Sequence, residues 1–547
     1  MSGSGADTIG FAGSRLFDSG LPWWFDDTAY SLTIGPIPLS SVGKTICLDS
    51  AFFPPSGVWA WSVAQVGTFH PSWDGPHCYE VGADTTLLVS GQLSYLNPRY
   101  SPPNDEFPMR DIEVQLWDKD WDFDDLLAVT TTNDDGDFSF DTVSNIDYGG
   151  AYGQDIYLKI FAHNDAGFVT TNTILLTKWY TVKEPVIQDV SSGTYDYGTF
   201  VTNLGTSGAF HIVDRLLDGY RMWLDSTFII REDIGGCPVY LDDSCGSYYT
   251  SPPLTADYLV IDTSDYSLLR APDTYDDHVI LHEHGHWVGS HCLDVFDESS
   301  GGPHTWSGKY SPALAASEGF AHFWSSVVRG DASGKNWWLN FALYRETNVE
   351  NGEHGWDGTY SNSANNYGDS CEAAVAGILW DICDPDSDDY DSFGDFSFPR
   401  GPADDIGDSL SDGFQSILSA LLDDDVLGHR PDNMGEFWDV WVGPPSLGNK
   451  QKVADIYYEH GDSTRSCCYG IRGNVDGDLW DQIDINDLLY LVDFMFTGGP
   501  EAPCWEEANL RADDSTIDIS DLVWLVDYMF TGGPAPHSCY DKKLQTD

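Results

Sequence analysis

The sequence is poor in basic residues. Its 547 residues contain 25 Lys and Arg against 88 Asp and Glu, a formal charge of -63. A surface this acidic repels nucleic acid and anionic membranes, which argues against both as partners. No run approaches the roughly 18 apolar residues of a membrane span. The first 20 residues also lack the basic and apolar regions of a secretory signal, so an export signal is either missing here or of another kind.

The sequence also contains no C-x-x-C pair, which argues against a zinc ribbon. Its 11 cysteines favour disulfides in an oxidising, extracellular compartment instead. One cysteine must stay unpaired, and we expect it to be Cys292. The pairs that the spacing suggests are Cys47 with Cys78, Cys237 with Cys245, Cys371 with Cys383, and Cys467 and Cys468 with Cys504 and Cys539.

Hydrophobic residues are plentiful at 41%, with 14% aromatic, which excludes general disorder. Short alternating segments separated by turn residues predict strands at 87–95, 112–117, 126–130, 138–140 and 156–161. This pattern is typical of a β-sandwich. The runs "DIEVQLWDKD" and "LLAVTTTNDDGDFSF" resemble transthyretin-like and carboxypeptidase-regulatory-like domains. The resemblance implies a structural or binding accessory domain.

Helical periodicity begins near Ala209 and predicts further helices at 313–328, 370–383, 409–423 and 450–459. Between them lies His282-Glu283-His284-Gly285-His286, an H-E-x-x-H motif. Two histidines four residues apart share one helix face and can both bind one zinc ion. Glu283 can then act as the general base that takes a proton from a zinc-activated water. The alternative is a chance match on a histidine-bearing helix.

A catalytic zinc needs a third protein ligand. The metzincin pattern would place a histidine at position 292, where this chain has Cys292. The other solution takes a glutamate from a downstream helix, and Glu318 lies among apolar neighbours where a carboxylate needs a cation. The competing interpretation is that Glu318 is a solvated helix residue.

The segments "HEHGH", "SEGFAHFW" and "CEAAVAGILWD" resemble gluzincin peptidases of the fungalysin-like kind over about 200 residues. In that family an Asp four residues after the glutamate ligand braces a zinc-binding histidine. This chain has His322 at that position. Asp276, Asp294 and Asp297 are alternative braces. For the group that stabilises the oxyanion, the candidate is Tyr367, with His354 and Tyr360 behind it.

The C-terminal part is an internal repeat, in which residues 484–500 recur as 518–534. Each copy is an acidic loop that leads into an amphipathic helix and ends at Gly-Gly-Pro. The loops resemble the calcium loops of type I dockerin repeats, which implies bound Ca2+ and a cohesin-type partner. The competing interpretation is a helix pair without calcium. The first loop offers Asn474, Asp476, Asp478, Asp484 and Asp487 as ligands. The second offers Asn509, Asp513, Asp518 and Asp521, with Arg511 where a ligand belongs.

Together these patterns predict a multidomain protein: a β-sandwich accessory domain, an α+β zincin catalytic domain and a small all-α, dockerin-like calcium-binding pair. The expected function is a secreted zinc metalloendopeptidase that acts on protein or peptide substrates, with Zn2+ and Ca2+ as cofactors. The alternative is a non-catalytic extracellular scaffold that assembles through dockerin–cohesin contacts. The expected boundaries are an irregular region at 1–80, the sandwich at 81–184, the peptidase at 185–465, the repeat at 466–540 and a tail at 541–547.

Overall fold

The chain forms two compact units and contains both sheets and helices, and a mixed architecture of more than one unit is what the sequence predicts. Unit 1 comprises the described parts of 1–96, 106–162 and 181–206, and unit 2 those of 97–105, 163–180 and 207–547. The predicted domain boundaries stay predictions. The computed structural model describes residues 45–48, 77–80, 86–120, 123–145, 153–170, 180–226, 233–243, 246–252, 256–263, 272–296, 303–338, 343–349, 354–356, 359–360, 368–383, 413–447, 450–512 and 516–539.

Unit 1 is built from β-strands. Its strands are β1 (Thr45–Leu48), β2 (His77–Glu80), β3 (Thr86–Leu96), β4 (Glu106–Pro108), β5 (Glu113–Asp118), β6 (Asp125–Thr131), β7 (Asp137–Ser139), β8 (Val143–Ser144), β9 (Ile156–Phe161), β11 (Thr181–Lys183) and β12 (Gly193–Val201). One sheet has the order β11-β9-β5-β6. Another has the order β12-β3-β4, with β7 and β8 also paired to β3. Strands β1 and β2 form an antiparallel pair in which Cys47 lies opposite Cys78.

The alternating sequence of these strands explains their burial. In β5, Val114 and Leu116 are fully buried, while the residues between them are partly exposed. Its neighbour β9 buries Ile156, Leu158 and Ile160 completely. The five strands predicted from the sequence are all present as β3, β5, β6, β7 and β9. Their arrangement as a sandwich stays a prediction.

Unit 2 contains a mixed sheet of β10 (Gly167–Thr170), β13 (Cys237–Asp242), β15 (Tyr258–Asp262) and β14 (Tyr248–Thr250), in that order. The first three strands are parallel, and β14 is antiparallel at the edge. A second, antiparallel sheet has the order β16 (Ser333–Trp338), β17 (Leu343–Asn348), β18 (His354–Trp356) and β19 (Thr359–Tyr360). The parallel strands are short apolar runs, as expected for a sheet covered on both faces.

The helices of unit 2 carry most of its core. They are α1 (Leu204–Ser226, which begins in unit 1), α2 (Asp277–His286), α3 (Pro312–Arg329), α4 (Glu372–Cys383), α5 (Gly413–Leu421), α6 (Met434–Val442), α7 (Lys450–Glu459), α8 (Ile485–Thr497), α9 (Trp505–Ala508) and α10 (Ile519–Val526). A π-helical turn over 287–293 follows α2 directly. Among the described helices, none is long and apolar enough to cross a membrane.

Two disulfides join Cys467 to Cys504 and Cys468 to Cys539, within the set expected from the sequence. The expected pairing of Cys371 with Cys383 is wrong, since no disulfide joins these two residues. They lie at opposite ends of α4, about 18 Å apart at the rise of an α-helix, and a disulfide needs Cα atoms within about 7 Å. Cys292 is free as expected, and so is Cys237, whose expected partner Cys245 lies outside the described residues.

Candidate metal centre

Helix α2 carries the H-E-x-x-H motif and is fixed at its first turn. The Asp276 carboxylate caps it by accepting the main-chain N–H groups of His278 and Val279 at 3.1 and 3.3 Å. Asp277 binds Arg99 at 2.5 Å and His211 at 2.9 Å. Burial opposes ionisation of Asp277, but these partners hold its pKa well below the ordinary value. The helix is therefore anchored where the chain enters it.

One turn further on, α2 meets α3 at three convergent ligand atoms. Glu318 Oε2 lies 3.2 Å from His282 Nε2 and 3.3 Å from His286 Nε2. All three ligand atoms lie within 4.8 Å of one another. Burial alone would lower the pKa of His286, but the adjacent Glu318 raises it to about 9. The structure thus brings together the three residues predicted to bind zinc.

Small residues allow α2, α3 and α4 to approach closely here. A Cβ on Gly285 would lie 2.7 Å from Cα of Ala321 on α3. On the other side of α3, a Cβ on Gly319 would lie 2.5 Å from Cβ of Val375 and 2.9 Å from the main-chain oxygen of Glu372. These contacts fix how far the histidines of α2 lie from Glu318.

Glu283 lies beside the first histidine and lines a cavity of about 320 Å³. It is 8% exposed, and burial raises its pKa. Glu318 adds to this rise, whereas His282 and His286 oppose it. His282 lines the same cavity, so the Glu283 carboxylate and the His282 ring face one shared space.

The outer contacts of the two histidines differ. His286 Nδ1 lies 3.3 Å from Ser317 Oγ, a partner that the sequence interpretation missed. His282 Nδ1 is buried and has no hydrogen-bond partner in the described part of the chain. Ser317 directly precedes Glu318 in the sequence, and this adjacency is the sequence feature that could have indicated a role for Ser317 at the site.

His322, which replaces the expected Asp, packs against His282 instead of bracing it. The two ring centroids are 4.3 Å apart, and His322 Nδ1 makes no hydrogen bond among the described residues. Trp306 and His278 enclose the ring from other sides. Burial, together with His282 and His278, holds the pKa of His322 well below its usual value, so the ring stays neutral.

Of the alternative braces, the two that the structure describes, Asp276 and Asp294, do not hydrogen-bond to His282 Nδ1. Asp276 is engaged at the start of α2, where its second oxygen also accepts the Trp337 N–H at 3.0 Å. Asp294 is exposed beyond the π-helical turn. Asp297 lies outside the described residues.

Two further residues of the site were missed by the sequence interpretation. His304 Nδ1 lies 3.4 Å from Glu318 Oε1, the oxygen that does not face the histidines. Glu372, the first residue of α4, lines the cavity with Glu283 and His304. Burial and the neighbouring Glu318 raise the pKa of Glu372 to about 8. His304 lies in no quoted motif, and Glu372 lies in the segment "CEAAVAGILWD" without a predicted role, so it is the fold that brings both residues to the site.

The candidates for the oxyanion-stabilising group stay predictions. Tyr367 lies outside the described residues. His354 and Tyr360 lie on β18 and β19, where the structure describes the strands but not their side chains.

In the first C-terminal loop, the predicted calcium ligands hydrogen-bond to the loop itself. Asp487 accepts the main-chain N–H groups of Asp476 and Asp484. Asn474 Oδ1 accepts the N–H of Asp478 at 2.9 Å. Among the described residues of this loop, no three carboxylates bring ligand oxygens within 4.8 Å of one another.

The second loop repeats this arrangement. Asp521 accepts the N–H groups of Arg511 and Asp518, as Asp487 does in the first copy. Asn509 Oδ1 accepts the N–H of Ala512, and Asp513 lies outside the described residues. Asp484 and Asp518 cap α8 and α10 through equivalent capping boxes. The two copies thus share their local structure.

Comparison with known proteins gives one family match. Residues 241–461, which contain the whole candidate metal centre, match the Mycolysin C-terminal domain. This match supports a zinc metallopeptidase. No curated protein matches the chain.

Similarities to solved structures are weak. A protealysin precursor, a metalloproteinase from Serratia proteamaculans, is 10% identical over 54% of this chain and 87% of its own, with a TM-score of 0.33. A 9R-lipoxygenase from Cyanothece PCC8801 is 15% identical over 26% of this chain and 25% of its own, with a TM-score of 0.16. The chain thus spans a quarter of the lipoxygenase, and likenesses this low support no conclusion about the fold.

Proposed function

We propose that this protein is a zinc-dependent metalloendopeptidase of the gluzincin type. The observation that carries the proposal is the convergence of His282 Nε2, His286 Nε2 and Glu318 Oε2, with histidine–carboxylate distances of 3.2 and 3.3 Å. Ligands about 2.0–2.2 Å from a tetrahedral zinc lie roughly 3.4 Å from one another. The three side chains therefore fit zinc in both chemistry and spacing.

The surrounding residues suit a catalytic site rather than a closed structural one. Three protein ligands leave a fourth position for water or substrate, and His282 opens on the same cavity as Glu283. A zinc ion supplies a Lewis acid that polarises a peptide carbonyl and makes water more acidic. Glu283 accepts the proton of the attacking water and passes it to the leaving amine. Its raised pKa brings it closer to the pH at which a general base works best.

Replacing Glu283 with Gln tests this role. Glu283→Gln should keep one zinc ion per chain and lower kcat on casein or a peptide by about 10²–10⁴-fold, the usual contribution of a general base. Glu106→Gln, the same change at an exposed residue of unit 1, is the matched control and should retain full activity. Peptide cleavage by Glu283→Gln at the control's rate would refute the assignment. A zinc-loaded wild-type protein that cleaves no protein substrate would favour the scaffold alternative.

We also propose that the C-terminal repeat binds calcium and docks a protein partner of the cohesin type. Apolar side chains at equivalent positions, 34 residues apart, are exposed on both helical copies. In the first copy these are Ile485, Leu489 and Phe496, and in the second Ile519, Val523 and Phe530, each 48–62% exposed. Exposed apolar residues repeated along a helix are typical of a surface that binds another protein. The two disulfides of this region agree with secretion.

Calcium titration of the chelator-treated full chain tests this second proposal. Calcium should raise the unfolding temperature of the C-terminal region, and Asp476→Asn should remove one bound ion. Asp425→Asn, at an exposed residue outside the repeat, should leave the calcium count unchanged. Identical unfolding curves with and without calcium would contradict a calcium role.

A further inference from the structure

Glu372 occupies an unusual place beside the candidate metal centre. It begins α4, and its main-chain oxygen packs against Gly319, the residue after the proposed ligand Glu318. Its side chain lines the cavity that also contains His282 and Glu283. A substrate that reaches the metal centre therefore meets the carboxylate of Glu372 as well.

The Glu372 side chain is buried beside this cavity. The residue is 1% exposed, and Oε1 has no hydrogen-bond partner among the described residues. No described Lys or Arg forms an ion pair with it. Burying a carboxylate without a partner is costly, and buried carboxylates normally have a hydrogen-bond donor, a cation or a metal beside them. A cation bound in the cavity would supply such a partner and favour the ionised form of Glu372.

Two of the other acidic groups around the cavity are already engaged by neighbouring side chains. Glu318 lies between the two zinc-binding histidines and His304. Asp273 accepts a hydrogen bond from Ser247 at 2.7 Å. Arg345 also lines the cavity, but it forms no described ion pair with Glu372. Apart from Glu283, the proposed general base, Glu372 is thus the described acid lining this cavity that is left for an incoming group.

We propose that Glu372 is a specificity-determining residue that binds a positively charged nitrogen of the substrate. This inference rests on the peptidase function proposed above. The nitrogen comes either from a Lys or Arg side chain near the cleaved bond or from the free amino terminus of a peptide. A formal charge of -63 also favours the approach of basic over acidic peptides.

A matched peptide series tests the proposal and separates the two sources. The parent is a neutral peptide blocked at both ends. One derivative carries an internal Lys in place of norleucine, and the other has a free amino terminus. The zinc-loaded wild-type protein should show a kcat/KM about 10- to 100-fold higher for one derivative than for the parent, the range of a charge-assisted hydrogen bond. Glu372→Gln should reduce that ratio to within about threefold of unity, while Glu106→Gln keeps it.

Several outcomes would overturn the proposal. Wild-type protein that cleaves all three peptides equally well, or Glu372→Gln that retains the preference, refutes the role of Glu372 and leaves the peptidase function intact. Loss of zinc from Glu372→Gln would show that the carboxylate serves the metal centre instead. Wild-type protein that binds zinc but cleaves none of the peptides overturns both proposals.

A measurement on the wild-type protein covers the case in which the variant does not fold. Pentylamine should inhibit cleavage of the neutral parent peptide competitively, because its ammonium group can occupy the position beside Glu372. Pentanol, which has the same chain without the charge, should inhibit at least about tenfold more weakly. Equal inhibition by the two compounds would contradict a cation-binding role.

Discussion

The contact between α2 and α3 at Gly285 gives a prediction about metal binding that needs no change to any ligand. In Gly285→Ala the new methyl carbon would lie 2.7 Å from Cα of Ala321 and 3.2 Å from its main-chain oxygen. Non-bonded carbon atoms prefer about 3.5–4.0 Å. The two helices must therefore move apart by about 1 Å at this point, directly beside His286.

This displacement should weaken metal binding more than folding. Overpacking destabilises the folded state by about 1–3 kcal/mol, whereas the higher helix propensity of Ala stabilises it by about 1 kcal/mol. The free energy of unfolding should therefore fall by about 0–2 kcal/mol. Metal–ligand distances tolerate only about ±0.2 Å. We expect zinc affinity to fall by about 10- to 100-fold, as when an outer partner of a metal ligand is removed.

Competition with a zinc chelator measures the affinity, and urea unfolding measures the stability. Gly205→Ala is the control, because there is space for a methyl group at this position near the start of α1. A Cβ on Gly205 would lie 3.2 Å from Asn203 Oδ1, and no other atom beyond its immediate neighbours lies within 4 Å. It should keep the wild-type zinc affinity. Gly285→Ala with wild-type affinity would show that the distance between α2 and α3 does not set the geometry of the site.

Three further predictions concern single contacts. Ser317→Ala removes the oxygen 3.3 Å from His286 Nδ1 and should lower zinc affinity by about 10- to 100-fold in the same competition assay; unchanged affinity would exclude Ser317 as a brace. Asp276→Ala removes the cap of α2 and should lower the free energy of unfolding by about 0.5–2 kcal/mol in urea, and no change would refute the cap. Burial raises the pKa of Glu507 from 4.5 to about 8, so the folded state holds this proton more tightly than the unfolded state. The free energy of unfolding should therefore fall as the pH rises from about 4.5 to about 8. Glu507→Gln should remove this part of the pH dependence of thermal unfolding. An unchanged pH profile in the variant would contradict a role for Glu507.

Periodic segments of the sequence predicted their secondary structure well. The expected helices at 313–328 and 450–459 are α3 and α7, each within one residue at either end. Helix α6 was missed, since its nine residues are rich in Trp, Phe and Val, which do not favour helix. The sequence feature that could have indicated the start of α6 is Asn433. Its side chain acts as an N-cap and accepts the N–H groups of Gly435 and Glu436.

The candidate site was only partly predictable, and the reason is physical. His282 and His286 are neighbours through helix geometry, so their spacing in the sequence is enough to predict that they lie together. Glu318 could be proposed because a carboxylate on an apolar helix face needs a cation. His304 and Glu372 reach the site through the packing of a loop and of α4 against α3, and such contacts leave no periodic pattern in the sequence.

Anomalous diffraction at the zinc edge, from crystals of the zinc-loaded protein, tests the central claim most directly. The account predicts one strong peak about 2.0–2.2 Å from His282 Nε2, His286 Nε2 and an oxygen of Glu318. A peak that lies away from any one of these three atoms, or no peak between α2 and α3, would contradict it.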